Sequence, residues 1–250
     1  MSRRRSRAAL FAVIFGLVGS AAFAGHPMLS EDTGTQGRDN VELELGYDWS
    51  RQAGDHSFLF QPQLSWGAST TLDLIVQPSW IIDHAKGGTA RGSGDTNLDA
   101  KWRFYGSAPW SLGIRAGVSA PTARDDLGLQ HDRFLPHAML VATGDFTPFT
   151  LDANLGYGRA PADASQRGDL YHFSAAVTVE SGQRLFFILD TSVDSNPDRD
   201  AGKTFAAVTL LGIIYTVRPG LDVDVGFRGR LNGTGPAQQW LVGITFRGAP

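Results

Sequence analysis

Downstream of residue 40, apolar and polar side chains alternate with a period of two in stretch after stretch. In residues 41–49, Val41, Leu43, Leu45, Tyr47 and Trp49 share one face, and Glu42, Glu44, Gly46 and Asp48 share the other. Residues 95–104 set Thr96, Leu98, Ala100, Trp102 and Phe104 against Asp95, Asn97, Asp99, Lys101 and Arg103. Residues 221–230 set Leu221, Val223, Val225 and Phe227 against Asp222, Asp224, Arg228 and Arg230. The period continues through 72–80, 110–120, 149–157, 171–180 and 240–246, and less cleanly through 58–66, 135–143, 185–193 and 205–215. Such alternation marks strands with unlike faces. It predicts an all-β chain of about twelve antiparallel strands, each about as long as a tilted strand must be to cross a bilayer.

The connections alternate in kind. Tight turns fall at 67–69, 106–109, 144–145, 181–183 and 218–220; mostly longer, more polar segments fall at 51–56, 82–92, 122–132, 159–168, 196–202 and 232–237. Short periplasmic turns and longer extracellular loops are the pattern of an antiparallel transmembrane β-barrel. The aromatic residues sort the same way. Trp66, Trp102, Trp110, Tyr215, Phe149 and Phe246 fall near the short-turn rim, and Trp49, Trp80, Trp240, Tyr157, Tyr171 and Phe58 near the other. Two girdles at headgroup depth are expected of a barrel, whereas a soluble periplasmic sandwich would bury its tryptophans centrally. Pro62 and Pro136 lie within strands, where each removes a ladder donor, so local bulges are expected there.

The first residues change the compartment. Arg3, Arg4, Arg5 and Arg7 precede an apolar stretch at 8–18, and Ala22-Phe23-Ala24 offers a small-x-small cleavage site. Residues 1–24 therefore read as a signal peptide, too short in its apolar part to span a membrane. Removing those four arginines from 22 Lys and Arg leaves 18 against 25 Asp and Glu, a mature charge of about −7 that speaks against nucleic acid. With no cysteine, the chain has no disulfide and no site for lipoprotein acylation. Residues 25–39 are polar and glycine-rich, and form either a periplasmic segment or a plug; residues 40–250 form the barrel.

Inward-pointing charges are the candidate functional groups. The pore-lining candidates are Glu42, Glu44, Asp95, Asp99, Lys101, Arg103, Arg115, Asp222, Asp224, Arg228 and Arg230. They fit either salt-bridge ladders filling the barrel or a charged constriction that filters solutes, because charge in such a wall must be paired or wet. Strand number does not separate a filled barrel from an open one here. No phosphate loop, zinc spacing or calcium loop is present, so no cofactor or metal is expected, and 194–200 reads as an acidic outer loop. His172-Phe173-Ser174 places a base beside a hydroxyl, as a lipid hydrolase would, but the parity of Tyr171, Phe173, Ala175 and Val177 turns the pair inward, away from lipid. No catalytic residue is assigned.

Several stretches resemble a known family. Pro27 with Glu31-Asp32-Thr33-Gly34-Thr35-Gln36-Gly37 is similar to the mature start of outer-membrane transporters linked to the meta-pathway of phenol degradation. Gly92-Ser93-Gly94-Asp95-Thr96-Asn97-Leu98, running into Lys101-Trp102-Arg103-Phe104, resembles that family's internal stretch. Val118-Ser119-Ala120-Pro121-Thr122 and Asp224-Val225-Gly226-Phe227-Arg228 resemble later strands, although Ala123 stands where the family usually has Gly. The resemblance implies a porin-like barrel for uptake of small solutes, aromatic ones among them. The expected partners are outer-membrane lipids, lipopolysaccharide, the barrel-assembly machinery and a small solute, in the outer membrane of a Gram-negative cell. The other readings are an outer-membrane lipid hydrolase and a filled structural barrel.

Overall fold

The computed structural model describes residues 26–52, 54–85, 87–125, 133–161, 165–200, 202–232 and 237–248. Residues 1–24, expected to form a signal peptide, lie outside the described residues. The chain runs through β1 (Val41–Gln52), β2 (Asp55–Gly67), β3 (Leu72–Gln77), β4 (Trp80–Ala85), β5 (Gly88–Ser93), β6 (Thr96–Ser107), β7 (Trp110–Ala120) and β8 (Arg124–Asp125). It continues through β9 (Leu135–Phe146), β10 (Phe149–Arg159), β11 (Asp169–Ser181), β12 (Leu185–Ser195), β13 (Phe205–Arg218), β14 (Leu221–Arg230) and β15 (Gln238–Arg247). Each strand pairs antiparallel with its neighbours, and β1 pairs with both β2 and β15, which closes the sheet. β3 and β4 line up end to end along β2 and count as one stave, so twelve staves form the wall, with β5 and β8 added at one rim.

The wall is turned inside out relative to a soluble protein. Leu211 is 61% exposed, Leu155 58% and Phe173 54%, whereas Arg115, Asp73, Asp190 and Ser174 are fully buried. Apolar residues cover the outside and polar residues fill the inside, the arrangement a barrel in lipid requires. The cross-strand pairs Trp49–Trp240, Trp49–Phe58 and Tyr157–Tyr171 hold the long-loop girdle level around the wall. At the short-turn rim Trp102 packs edge-on to Phe104, and Trp110 to Phe146.

Three expectations are corrected. No register shift occurs at either strand proline: Pro62 pairs with Leu45 and Pro136 with Val118 in unbroken ladders. Each proline sits where one neighbour is missing. β2 pairs with β3 through Leu64 and with β4 through Phe60, leaving Pro62 opposite the break between them, and the β9–β10 ladder ends at His137. The missing N–H thus leaves no ladder partner unmet. The irregularities lie instead at Arg103/Tyr105 and Thr216/Arg218. Second, residues 72–80 form two strands, parted at Pro78-Ser79. Third, most of the described residues in segments 51–56 and 82–92 are strand rather than loop: β1 and β2 run to Gln52 and from Asp55, and β4 and β5 form a ladder from Trp80–Ser93 to Ala85–Gly88.

Candidate functional site

Between the described start at His26 and Asn40, the chain has no regular structure, and its polar groups are met by side chains of the wall. The sequence explains why. The segment offers unpaired backbone donors and acceptors, and every buried one needs a partner. Leu29 N and Ser30 N both donate to Asp190 Oδ2, at 2.6 and 2.7 Å, and Ser30 Oγ donates to Asp190 Oδ1 at 2.8 Å. Asn154 grips the Glu31 residue at both backbone atoms: Glu31 N donates to Asn154 Oδ1 at 2.7 Å, and Asn154 Nδ2 donates to Glu31 O at 2.8 Å. Thr33 N donates to Thr143 Oγ1, itself bonded to Asp152, and Gln36 N donates to Asp73. Close to the short-turn rim Asp39 N donates to Gly67 O, and Gly67 N to Asn40 O. A side chain at Gly67 would run into the Gly37 carbonyl, so only glycine permits that approach.

The centre of the arrangement is Glu31. Its Oε1 lies 2.9 Å from Lys101 Nζ, and its Oε2 lies 2.6 Å from Arg115 Nη1. Arg115 also donates to Asp99, at 2.9 Å through Nε, and to Gln63 Oε1 at 3.1 Å. Asp99 in turn meets His137 Nε2 at 2.6 Å. Two cations on adjacent strands thus share one carboxylate from the N-terminal segment, the pairing that makes such burial tolerable. At the far end His26 lies between Asp224, 2.6 Å from Nδ1, and Asp48, 3.2 Å from Nε2, while its N–H donates to Glu44. Burial alone would lower the His26 pKa, but hydrogen bonds to Asp224 and Asp48 outweigh it and raise the group to about 9. Pro27, Met28 and Leu29 lie over an apolar strip of the lumen that includes Ile188, Leu210 and Leu241.

The sequence-derived candidates divide. Glu42, Glu44, Asp99, Lys101, Arg115, Asp222, Asp224 and Arg228 are buried on the inner face. Glu42 and Asp222 both pair with Arg247, and Glu44 accepts from Gln63 Nε2 at 2.6 Å. Arg228 donates to Gln239 Oε1 at 3.3 Å. Three stand apart. Asp95 lies just before β6 and accepts from Ala123 N; Arg103 reaches Thr70 O at the short-turn rim; Arg230 is exposed at the end of β14. The reading of the charges missed Glu31 and His26, which lie outside any alternating stretch. It also passed over Asp73, Asp152, Asn154 and Asp190, whose parity opposite Leu72, Leu151, Ala153 and Leu189 would have placed them inside.

His172 and Ser174 are buried in the lumen while Tyr171 and Phe173, each 54% exposed, face outward, so the pair does not meet lipid. His172 Nδ1 donates to Asp194 at 2.6 Å, its Nε2 lies 3.0 Å from Ser174 Oγ, and Ser174 Oγ donates to Asn154 Oδ1 at 2.9 Å. Among the described residues no cluster of three or more His, Cys, Asp or Glu is arranged to hold a metal ion.

A closed twelve-stave wall with lipid-facing aliphatics, aromatic girdles and a polar interior defines an outer-membrane β-barrel. The chain belongs to the family described as "Putative MetA-pathway of phenol degradation", whose sequence profile matches residues 24–248. Its fold is similar to that of an outer-membrane channel from Pseudomonas putida F1, with a TM-score of 0.70 and 12% identity over 87% of this chain and 98% of that one. It is also similar to the NanC porin (TM-score 0.54, 13% identity, 82% and 98% covered). The KdgM porin in complex with disordered oligogalacturonate is similar too (TM-score 0.55, 7% identity, 82% and 98% covered). No curated protein sequence matches the chain.

Proposed function

We propose that this protein is a non-enzymatic, porin-like barrel that passes small solutes across the outer membrane after signal-peptide export, and that its N-terminal segment narrows the path. The observation that carries this reading is the Glu31 clamp. A segment held chiefly by side chains of the wall, with the Glu31 carboxylate between Lys101 and Arg115 at its centre, can shift without breaking the β6–β7 ladder, because none of those side-chain contacts belongs to the ladder. The family and the porin-like fold support passage of solutes. Aromatic compounds remain the class suggested by the family's description.

Planar-bilayer recordings test it. Deleting residues 26–38, or making Glu31→Gln, is expected to raise single-channel conductance, with heat-shifted gel mobility confirming a folded barrel. Unchanged conductance in both variants would remove the segment from the path. Complete silence of the wild type and the deletion alike would favour a filled structural barrel.

A further inference from the structure

We infer that the lumen selects solutes by sign: small cations and neutral molecules pass, and anions, carboxylates among them, are turned away. The inference rests on the reading above that the barrel passes solutes, and it adds their charge class. The first observation is an imbalance on the inner face. The ion pairs there engage Lys101, Arg115, Arg247, His26, His137 and His172. Glu44, Asp73, Asp83, Asp152 and Asp190 are buried on the same face, and among the described residues none has a Lys, Arg or His side chain within salt-bridge distance. Neutral donors hold four of them: Gln63 and the His26 N–H on Glu44, the Gln36 N–H on Asp73, the Thr143 hydroxyl on Asp152, and Ser30 with the Leu29 N–H on Asp190. Such donors fill the lone pairs of a carboxylate and leave its charge in place. Against these five stands Arg228, buried and bonded to Gln239 rather than to a carboxylate.

The second observation is an unmet oxygen. Asp83 Oδ1 accepts no hydrogen bond, although Asp83 is only 3% exposed and, like Ile81 two residues before it, faces inward. A buried charged oxygen without a donor is costly, and a passing cation supplies what the wall does not. Gln52 Oε1, beside the β1–β2 connection at the same end, is a second buried acceptor with no donor. Both call for a positive or proton-donating ligand, and neither for an anion. Asp83 lies three residues past Trp80 of the long-loop girdle, so it stands at that mouth. Asp190 is midway along β12, and Glu44, Asp73 and Asp152 each fall within the first four residues of their strands, at the short-turn end. Negative charge thus recurs from one mouth to the other. A cation is favoured at each level and an anion opposed at each. Arg228 lies in the field of Asp48, Asp190 and Asp194 and offsets part of that charge.

The experiment reads the reversal potential of the full mature protein in planar bilayers under a KCl gradient. The pH is held at about 8, well above the ordinary carboxylate range, so that no histidine changes its charge between measurements. K+ is expected to be favoured over Cl− by about tenfold, the lower end of the enrichment that a cleft of one sign produces. The preference should shrink in about 1 M salt, where the screening length falls to about 3 Å. Asp83→Asn keeps the size and removes the charge, and should lower the preference. Because it removes an unpaired buried charge, it should fold at least as well as the wild type, checked by heat-shifted gel mobility. Arg228→Gln should move the preference the other way, whereas a change of bore alone would alter conductance without shifting the reversal potential in opposite directions. Benzylammonium in place of K+ should still carry current, and benzoate in place of Cl− should add none. A preference for anions, no preference, or a reversal potential that neither variant moves overturns the inference and leaves passage standing. A wild type that never conducts removes passage first, and the selectivity with it.

Discussion

Arg115 has no contact with solvent, yet it sits among Glu31, Asp99 and Gln63 with an acceptor for each of its three guanidinium nitrogens. Removing one member of a buried ionic set leaves the others uncompensated, at about 3–5 kcal/mol. Arg115→Met is therefore expected to destabilise the folded barrel by about that much and to free the segment, read as a lower denaturant midpoint and a raised conductance. His26 makes a prediction of opposite character. Its pKa in the seated segment, about 9, lies above that of a solvated imidazole, so its contribution is complete at pH 6 and below and disappears as the pH rises through 9. Seating measured by exchange protection at residues 29–33 should weaken between pH 7 and pH 10, and His26→Gln should abolish that slope. Neither residue shows itself in the same way in the sequence. Arg115 has the parity opposite to that of Trp110, Leu112 and Ile114 and so announces its inward aim. His26 precedes the first strand, and nothing in its neighbours tells that two aspartates from distant strands will enclose it.

At the level of strands, the alternation was readable because lipid on one side and a polar interior on the other leave no freedom in the choice of face. That reading stops where lipid stops. β5 buries none of its residues and carries Gly88, Thr89, Ala90 and Arg91, so no apolar face marks it, and its pairing with β4 comes from the hairpin alone. The prolines teach a related lesson: a ladder donor can be absent wherever a neighbouring strand is also absent, and the sequence does not announce that Pro78-Ser79 will part β3 from β4 beside Pro62. The clean staves allow a depth-dependent prediction. Leu211 is the most exposed large apolar side chain of the wall, placed midway along β13. Leu211→Arg should cost about 2–4 kcal/mol in lipid, measured by reversible unfolding in bilayers, and Arg substituted for Val217 near the rim should cost much less.

For the molecule as a whole, twelve staves, short turns on one rim and inward charge follow from the pattern along the chain. What the interior holds did not, since it depends on contacts between residues more than a hundred positions apart, such as Glu31 with Asn154 and Ser30 with Asp190. A surface of exposed Leu, Phe and Trp also predicts behaviour in bulk: the protein should sediment with membranes and come into solution only with detergent. Release of folded protein by osmotic shock alone would refute the membrane reading. The grip on His26 has a temporal side. Asp48 belongs to the first strand made and Asp224 to the next to last, 198 residues along from the histidine they share. The opening stretch of the chain thus finds its complete berth only once nearly everything after it has arrived, so its seating closes the assembly rather than beginning it.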